Sequence, residues 1–210
     1  MEKEKRSITS ELTVQTDSRL VEGYSLLFNT ESRDLGGFKE TISPEALDGV
    51  IEQSDIFCLL NHQNDRGILA RSKNGNGSLM LEIDERGLKY LFEAPKTALG
   101  DELLEYLKRG DITGSSFAFS VAEDEWNALD NGTYTRTIKK FNKVYDVSPV
   151  FNPAYTETTV AKRSLEGIKE AEELAKQKEA ERLEEQRKAD ELAKKEELDK
   201  YFKQLKESIQ

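Results

Sequence analysis

The sequence predicts an α+β protein, mostly β, in which a barrel-like antiparallel or mixed sheet carries a few flanking helices and a long charged helix follows at the C-terminus. Three observations predict this class. Short segments of alternating apolar and polar residues recur before residue 160, separated by turn residues. Two further segments there have the periodicity and the terminal residues of helices. The residues after 160 contain almost no glycine and are dominated by strong helix formers.

The predicted strands share either an alternation of apolar residues or a short continuous apolar run, both typical of strands with a buried face. In chain order they are residues 19–29, residues 56–60 (IFCLL), a hairpin over residues 78–94 that turns at DERG, a second hairpin over residues 116–141 that turns around Asn131 and Gly132, and a last strand over residues 143–151.

Two helices are predicted within this part of the chain from their end residues. The segment SPEALDGVIEQ predicts a short helix, with Ser43 as its N-cap and Pro44 at its first position. The segment TALGDELLEYLKRG predicts a longer helix between the capping residue Thr97 and a C-terminal glycine, Gly110.

The change in composition near residue 160 predicts a folded domain over residues 1–160 and a charged helical or coiled-coil tail over residues 161–210. Glutamate four positions before lysine, as at Glu184 and Lys188, supports the helix. The tail fits either a solvated single helix or a helix that binds a partner through apolar residues. Those residues are a thin stripe of Leu174, Leu183 and Leu192 and a fuller terminal stripe of Leu198, Tyr201, Phe202, Leu205 and Ile209.

The composition argues against several classes of function. A net charge of −10 argues against binding to nucleic acid or to an anionic membrane. One cysteine and one histidine argue against a disulfide framework and a zinc site, and we expect no metal or other cofactor. The N-terminus lacks the apolar core of a signal peptide, and no apolar run is long enough to span a bilayer. We therefore expect a soluble intracellular protein.

Two residues could carry nucleophilic chemistry. His62 is the single histidine and follows the apolar run IFCLL, so we expect it at a strand end, where a base can be held firmly. In GSSFAFSV, Ser116 begins the polar face of a strand whose other face carries Phe117 and Phe119. A serine hydroxyl needs an adjacent base to react. Each residue also fits a purely structural role. A lone histidine at a turn is usually a surface or hydrogen-bonding residue, and a half-buried alternating strand often carries serines.

A carboxylate that orients the imidazole would complete such a site. The candidate is Asp146, which apolar residues flank in VYDVSPV as they would a partly buried strand carboxylate. Asp65 and Asp111 compete with it, but both lie in predicted turns, where we expect them to be solvated. Sequence spacing alone does not bring these residues together.

Four segments, in order, resemble the prohead (procapsid maturation) serine proteases of tailed bacteriophages, which share a fold with the herpesvirus assemblin proteases. The resemblance covers about residues 10–160. The four segments are VEGYSLLFNTESRDLGGFKETISPEAL, LLNHQNDRGILAR, LKRGDITGSSFAFSV and YDVSPVFNPAYTET.

The resemblance assigns the family's histidine to His62, its serine to Ser116 rather than Ser115, and its acidic residue to Asp146. Two departures from the family pattern are present. Ala118 replaces the usual glycine near the serine, and an aspartate stands at 146 where glutamate is more common. The herpesvirus relatives use a second histidine as third member, which this chain lacks.

The resemblance implies a serine endopeptidase that forms an acyl-enzyme on Ser116 with His62 as general base. It also implies that the substrates are the major capsid protein precursor, scaffold segments and the protease itself, inside the phage prohead in the host cytoplasm. A homodimer or higher oligomer is expected by analogy with the assemblin type. The segment YTETTVAKRSLEG, residues 155–167, is a candidate exposed linker for self-cleavage, and the tail a candidate for binding scaffold or capsid segments.

Two alternatives remain open on the sequence. One is a catalytically inactive capsid-assembly or scaffolding protein that retains the protease fold. A separation of about 3 Å between His62 Nε2 and Ser116 Oγ would favour the enzyme over it. The other is a thiol enzyme that uses Cys58, although this residue lies within IFCLL, where buried inert thiols are usual.

Overall fold

The computed structural model of this protein describes residues 2–9, 12–14, 18–151 and 159–207. Contacts between residues divide the chain into two compact units, Met1–Ala161 and Lys162–Gln210. The strands and a helix over Ala98–Arg109, α1, all belong to the first unit, and the second is helical up to residue 207. Within the described ranges, no helix is both long and apolar enough to cross a lipid bilayer.

Eleven strands are present in the described residues, and they form two sheets. One sheet has the order β1-β10-β11-β5-β6-β7, with β4 also paired to β11, and the other has the order β2-β3-β9-β8. From β1 to β11, the strands are Glu4–Thr9, Thr13–Val14, Leu20–Leu27, Phe38–Ile42, Asp55–Cys58, Ala70–Lys73, Asn76–Gly77, Met80–Ile83, Gly87–Glu93, Gly114–Ala128 and Tyr134–Val150.

The predicted α+β, mostly β class is confirmed, but the barrel-like closure is not. Among the described strands, the larger sheet ends at β1 and β7, and the smaller sheet ends at β2 and β8. One cause is the length of β11, which pairs in parallel with β4 near its start and with β5 near its end. The larger sheet therefore branches along one edge of β11 and leaves its outer strands unjoined.

The core lies between the two sheets. The larger sheet contributes Phe117 and Phe119 of β10, whose ring centroids are 4.8 Å apart, and Phe141 of β11, 5.0 Å from Phe119. The smaller sheet contributes Tyr90 and Phe92 of β9, both fully buried. The two predicted hairpins are confirmed as the antiparallel pairs β8–β9 and β10–β11. The predicted last strand is not separate, because β11 continues through it.

The longer predicted helix is confirmed as α1, Ala98–Arg109. The Thr97 hydroxyl accepts a hydrogen bond from the Gly100 amide at 3.3 Å, which satisfies one donor of the first turn. Gly110 follows the helix with a φ of 76°, the left-handed conformation that glycine adopts without steric cost. Both end residues therefore act as the sequence predicts.

The shorter predicted helix is wrong as a single helix. The segment forms two 3₁₀ turns, Pro44–Leu47 and Ile51–Gln53. Gly49 lies between them with a φ of 69°, which an α-helix cannot contain. Ser43 occupies the N-cap position but makes no capping bond, and its hydroxyl donates to the Glu45 carboxylate at 2.6 Å.

The tail forms the helix α2, Thr159–Glu207. Its thin leucine stripe is exposed, between 52% at Leu174 and 60% at Leu192. The predicted pair of Glu184 and Lys188 is present at 2.9 Å. The side chains of the fuller terminal stripe lie outside the described residues. Of the predicted cleavage linker, residues 155–158 also lie outside them, and residues 159–167 belong to α2.

Candidate active site

The chain reaches His62 through a strained turn at the end of a buried strand. Strand β5 ends at Cys58, and Asn61 and His62 then adopt left-handed conformations with φ values of 51° and 59°. This region is uncommon for residues other than glycine and persists where surrounding contacts enforce it, often at functional sites. One such contact is the Asn61 amide, which donates to the Pro149 carbonyl of β11 at 2.9 Å. The turn is therefore tied to the strand beside it.

Strand β10 separates its two adjacent serines onto opposite faces. Ser115 turns toward the core, where its hydroxyl lies 2.8 Å from the Tyr90 hydroxyl. Ser116 turns to the other face, where its Oγ lies 2.6 Å from His62 Nε2. Phe117 and Phe119 hold the strand in the core, as the sequence predicts. The two serines are thus in different environments although they are neighbours in the chain.

Asp146 completes the contacts around the imidazole. It lies on β11 opposite Ala118 of β10, so its side chain shares a face with Ser116. One carboxylate oxygen contacts His62 Nδ1 and also accepts a hydrogen bond from the Ser148 hydroxyl at 2.9 Å. The other oxygen accepts from Lys3 Nζ at 3.1 Å. The carboxylate is 2% exposed and is held from three sides.

The electrostatic surroundings keep Asp146 ionised. Burial alone would raise the pKa of this carboxyl group, because it disfavours the charged form. The hydrogen bond and charge of His62, the charge of Lys3 and the hydrogen bond from Ser148 outweigh burial and hold the pKa below its ordinary value of 3.8. An ionised carboxylate at this position favours a proton on the Nδ1 atom of His62.

The structure therefore brings together the three predicted site residues, His62, Ser116 and Asp146. The two competing acids lie elsewhere. Asp65 is in an exposed 3₁₀ turn, Asn64–Arg66, and Asp111 pairs with Arg109 at 3.0 Å.

Sequence reasoning missed three groups at this site: the Ser148 hydroxyl, the Lys3 ammonium and the backbone carbonyl of Arg6. The carbonyl accepts a hydrogen bond from Ser116 Oγ at 2.8 Å. Ser148 had a detectable signal, because a residue two positions after Asp146 on a strand shares its face. Lys3 and Arg6 had no such signal, because the pattern of a charged N-terminal segment is the same whether the segment is buried or solvated.

The alanine that departs from the family pattern lies beside the carboxylate. Ala118 is fully buried, and its neighbours across the sheet are Lys5 on one side and Asp146 on the other. Its methyl group therefore occupies space on the same face as the carboxylate and Ser116, where a glycine would leave a gap.

Cys58 does not have the properties of a nucleophile. It is completely buried in β5. Burial, and secondarily the charge of Asp146, raise the pKa of its thiol well above 9.0, so the reactive thiolate is not populated at neutral pH. The thiol-enzyme alternative therefore loses its support.

A carboxylate, an imidazole and a serine hydroxyl in successive contact are the groups that serine proteases use for acyl transfer. In the described part of the chain, no cluster of His, Cys, Asp or Glu side chains could hold a metal ion. The fold and these contacts thus define a candidate serine hydrolase.

The comparison with protein families agrees with this class. The family described as caudovirus prohead serine protease matches residues 5–172, and the chain belongs to this family. Among solved structures, that of the bacteriophage T4 capsid assembly protease, gp21, is similar with a TM-score of 0.40 and 10% sequence identity, covering 72% of this chain and 100% of that chain. No protein of curated function matches the sequence significantly.

Proposed function

We propose that this chain is a serine endopeptidase in which Ser116 is the nucleophile, His62 the general base and Asp146 the group that orients His62. The observation that carries the proposal is the 2.6 Å separation of His62 Nε2 and Ser116 Oγ. The Nδ1 atom of the same imidazole ring contacts the Asp146 carboxylate. A base must lie within about 2.6–3.2 Å of the proton that it removes.

The reaction proceeds by acyl transfer. Asp146 accepts the Nδ1 proton in a hydrogen bond, which leaves the Nε2 lone pair free to take the proton of Ser116. The serine oxygen bonds to the scissile carbonyl carbon, and the resulting imidazolium then protonates the leaving amine as the peptide bond breaks. Water, activated in the same way by His62, hydrolyses the acyl-enzyme and releases the second product.

The proposed substrates are capsid protein precursors and scaffold segments inside the phage procapsid in the host cell, and the protease itself. Membership of a family of prohead serine proteases supports this setting. The tail is proposed to bind scaffold or capsid segments. Its exposed leucines, Leu174, Leu183 and Leu192, support that role, because they give an otherwise charged helix apolar groups for a partner.

Co-expression with the cognate capsid precursor tests the proposal. Wild type should shorten the precursor, and Ser116→Ala and His62→Ala should leave it at full length, as mass spectrometry of the assembled particles reports. Each variant needs a thermal melt to show that it is folded. Precursor processing by either variant at the wild-type rate would exclude the proposed mechanism.

The same experiment separates the enzyme from a capsid-assembly protein that retains the fold without activity. For such a protein, wild type and Ser116→Ala would assemble particles alike and leave the precursor uncut. The contact between Ser116 and His62 favours the enzyme, because an assembly role does not require that contact.

A further inference from the structure

The N-terminal strand β1 covers the proposed nucleophile. It pairs with β10 in antiparallel fashion, with Ser7 directly opposite Ser116. Ser116 is only 1% exposed, and its hydroxyl lies 2.8 Å from the carbonyl oxygen of Arg6. β1 is also the outermost strand of its sheet, so its removal would free one edge of β10. β1 therefore occupies the edge of β10 beside Ser116.

The Ser116 hydroxyl has two neighbours that can accept its single proton. The Arg6 carbonyl oxygen lies 2.8 Å from Ser116 Oγ and has no proton of its own, so the hydroxyl donates to it. His62 Nε2 lies 2.6 Å from the same oxygen. While the proton is directed at Arg6 it is not directed at His62, and removing the Arg6 carbonyl would leave Nε2 as the remaining acceptor of the two.

β1 lies as an extended substrate would lie. Peptides commonly bind proteins by adding a strand to a free sheet edge, where the backbone supplies affinity and alternate side chains supply specificity. β1 presents a backbone carbonyl to the proposed nucleophile. Its alternate side chains, Glu4 and Arg6, are only 3% and 5% exposed although both are charged. Charged residues are seldom buried so fully unless a site accommodates them.

Two residues of other strands pair with these buried charges. The Arg6 guanidinium donates to both carboxylate oxygens of Glu40, at 2.8 and 2.9 Å. The Glu4 carboxylate accepts two hydrogen bonds from Arg136, at 2.8 and 3.0 Å. Such paired contacts favour arginine opposite a carboxylate in both geometry and charge. Glu40 lies on β4 and Arg136 on β11, so neither would leave with β1.

β1 does not fill the space beside it. A cavity of about 350 Å³ runs along the second half of β1 and is lined in part by Ser7, Ile8, Phe117 and Leu35. The residue two positions after Arg6 could therefore be larger than Ile8. Exposed residues, among them Thr30 and Glu31, also line this cavity, so it opens at the surface and is not an unfilled part of the core.

We propose that β1 occupies the substrate-binding groove of this protease. The groove takes an extended peptide with a basic residue where Arg6 lies, next to the reacting carbonyl, and an acidic residue two positions earlier. Glu40 binds the basic side chain and Arg136 binds the acidic one. The substrate must displace β1 to bind there. This inference rests on the proposed function of Ser116.

Labelling of Ser116 in the full-length chain by a fluorophosphonate tests the inference. Ser116 Oγ bonds to phosphorus, fluoride leaves and His62 takes the hydroxyl proton, so labelling reports an accessible, activated serine. Arg6→Glu opposes Glu40 with a like charge and should release β1, so labelling should be at least about tenfold faster than in wild type. Lys139→Glu, the same reversal at a half-exposed residue that pairs with Glu125, should label at the wild-type rate.

Peptides added in trans test the chemistry of the groove. A hexapeptide with the sequence of β1, EKRSIT, should slow labelling of the Arg6→Glu chain. A matched peptide with glutamate in place of its arginine should not. If thermal melts show that Arg6→Glu is unfolded, Arg6→Leu serves instead, because it removes both contacts with Glu40 without adding a buried charge.

The outcomes distinguish the inference from the proposed function. Equal labelling rates for wild type and the β1 variant, or equal protection by the two peptides, overturn the inference alone. Absence of His62-dependent labelling in every variant overturns the proposed function of Ser116, and the inference with it.

Discussion

Ser115 and Ser116 are adjacent in the chain but lie on opposite faces of β10, one 2.8 Å from the Tyr90 hydroxyl and the other 2.6 Å from His62 Nε2. Successive side chains of a strand alternate between its faces, so one serine supports the core and the other faces the imidazole. This alternation provides a matched pair for mutation, two serines of the same strand with different expected roles.

Ser116→Ala should reduce precursor cleavage by about 10⁴-fold or more, because it removes the proposed nucleophile. Ser115→Ala should leave cleavage unchanged and lower the free energy of unfolding by about 1–3 kcal/mol, because the Tyr90 hydroxyl loses a buried partner. Mass spectrometry of the co-expressed precursor measures the first effect, and urea denaturation the second. The reverse pattern would assign the nucleophile to Ser115.

Asp146→Asn should also reduce cleavage, by about 10⁴-fold, because an amide can donate to His62 Nδ1 and so favour the wrong tautomer. Ser148→Ala is the graded control. It removes one hydrogen bond to the Asp146 carboxylate and leaves the charge in place, so we expect a loss of about tenfold. Cleavage that is unaffected by Asp146→Asn would leave a two-residue site of Ser116 and His62.

Cys58→Ala should retain cleavage activity and should cost about 1 kcal/mol of stability, because it removes only a small buried side chain. A cysteine-directed alkylating reagent should leave wild type active, since the thiol is buried and protonated. Loss of activity in a folded Cys58→Ala chain would restore the thiol-enzyme interpretation.

The buried pair of Glu4 and Arg136 should make stability depend on pH in the acid range. Burial alone would raise the pKa of Glu4, but the hydrogen bond and charge of Arg136, with a smaller contribution from Arg6, hold it below the ordinary value of 4.5. The resulting stabilisation is fully present above pH 4.5 and is lost as the pH falls through the lowered pKa of the folded state. Wild type should therefore exceed Glu4→Gln in unfolding free energy at pH 7, and this difference should shrink in acid.

Urea denaturation of both chains between neutral and acid pH measures that difference. The control is Glu31→Gln, which removes an exposed carboxylate paired with Lys39. Its effect should stay within about 1 kcal/mol at every pH, because surface ion pairs contribute little. A constant difference between wild type and Glu4→Gln would show that the Glu4 charge does not stabilise the fold.

Local patterns were sufficient for the elements whose stability is local. The helix α1 has its cap at Thr97 and its terminal glycine at Gly110, and both act within one turn of the backbone. The hairpin of β8 and β9 turns where Asp84 accepts hydrogen bonds from the amides of Arg86 and Gly87, at 2.8 and 2.9 Å. Such residues act on their immediate neighbours, so the sequence records them directly.

The choice of site residues also came from the sequence, through ordered motifs and the single histidine. Their juxtaposition did not, because it depends on β5 pairing in parallel beside β11 and on the turn at Asn61. These contacts join segments more than 80 residues apart, such as His62 and Asp146 with a separation of 84. No local period encodes a pairing over that distance.

The strand β1 shows most clearly what the sequence pattern does not predict. The sequence alone determined a charged N-terminal segment, and by its pattern such a segment is solvated. Only the tertiary structure decided that Glu4 and Arg6 are buried, because their partners, Glu40 and Arg136, come from β4 and β11. A charge can be buried without a large loss of stability only where an oppositely charged group lies beside it. That partner is supplied by other strands of the assembled sheet and not by the segment itself.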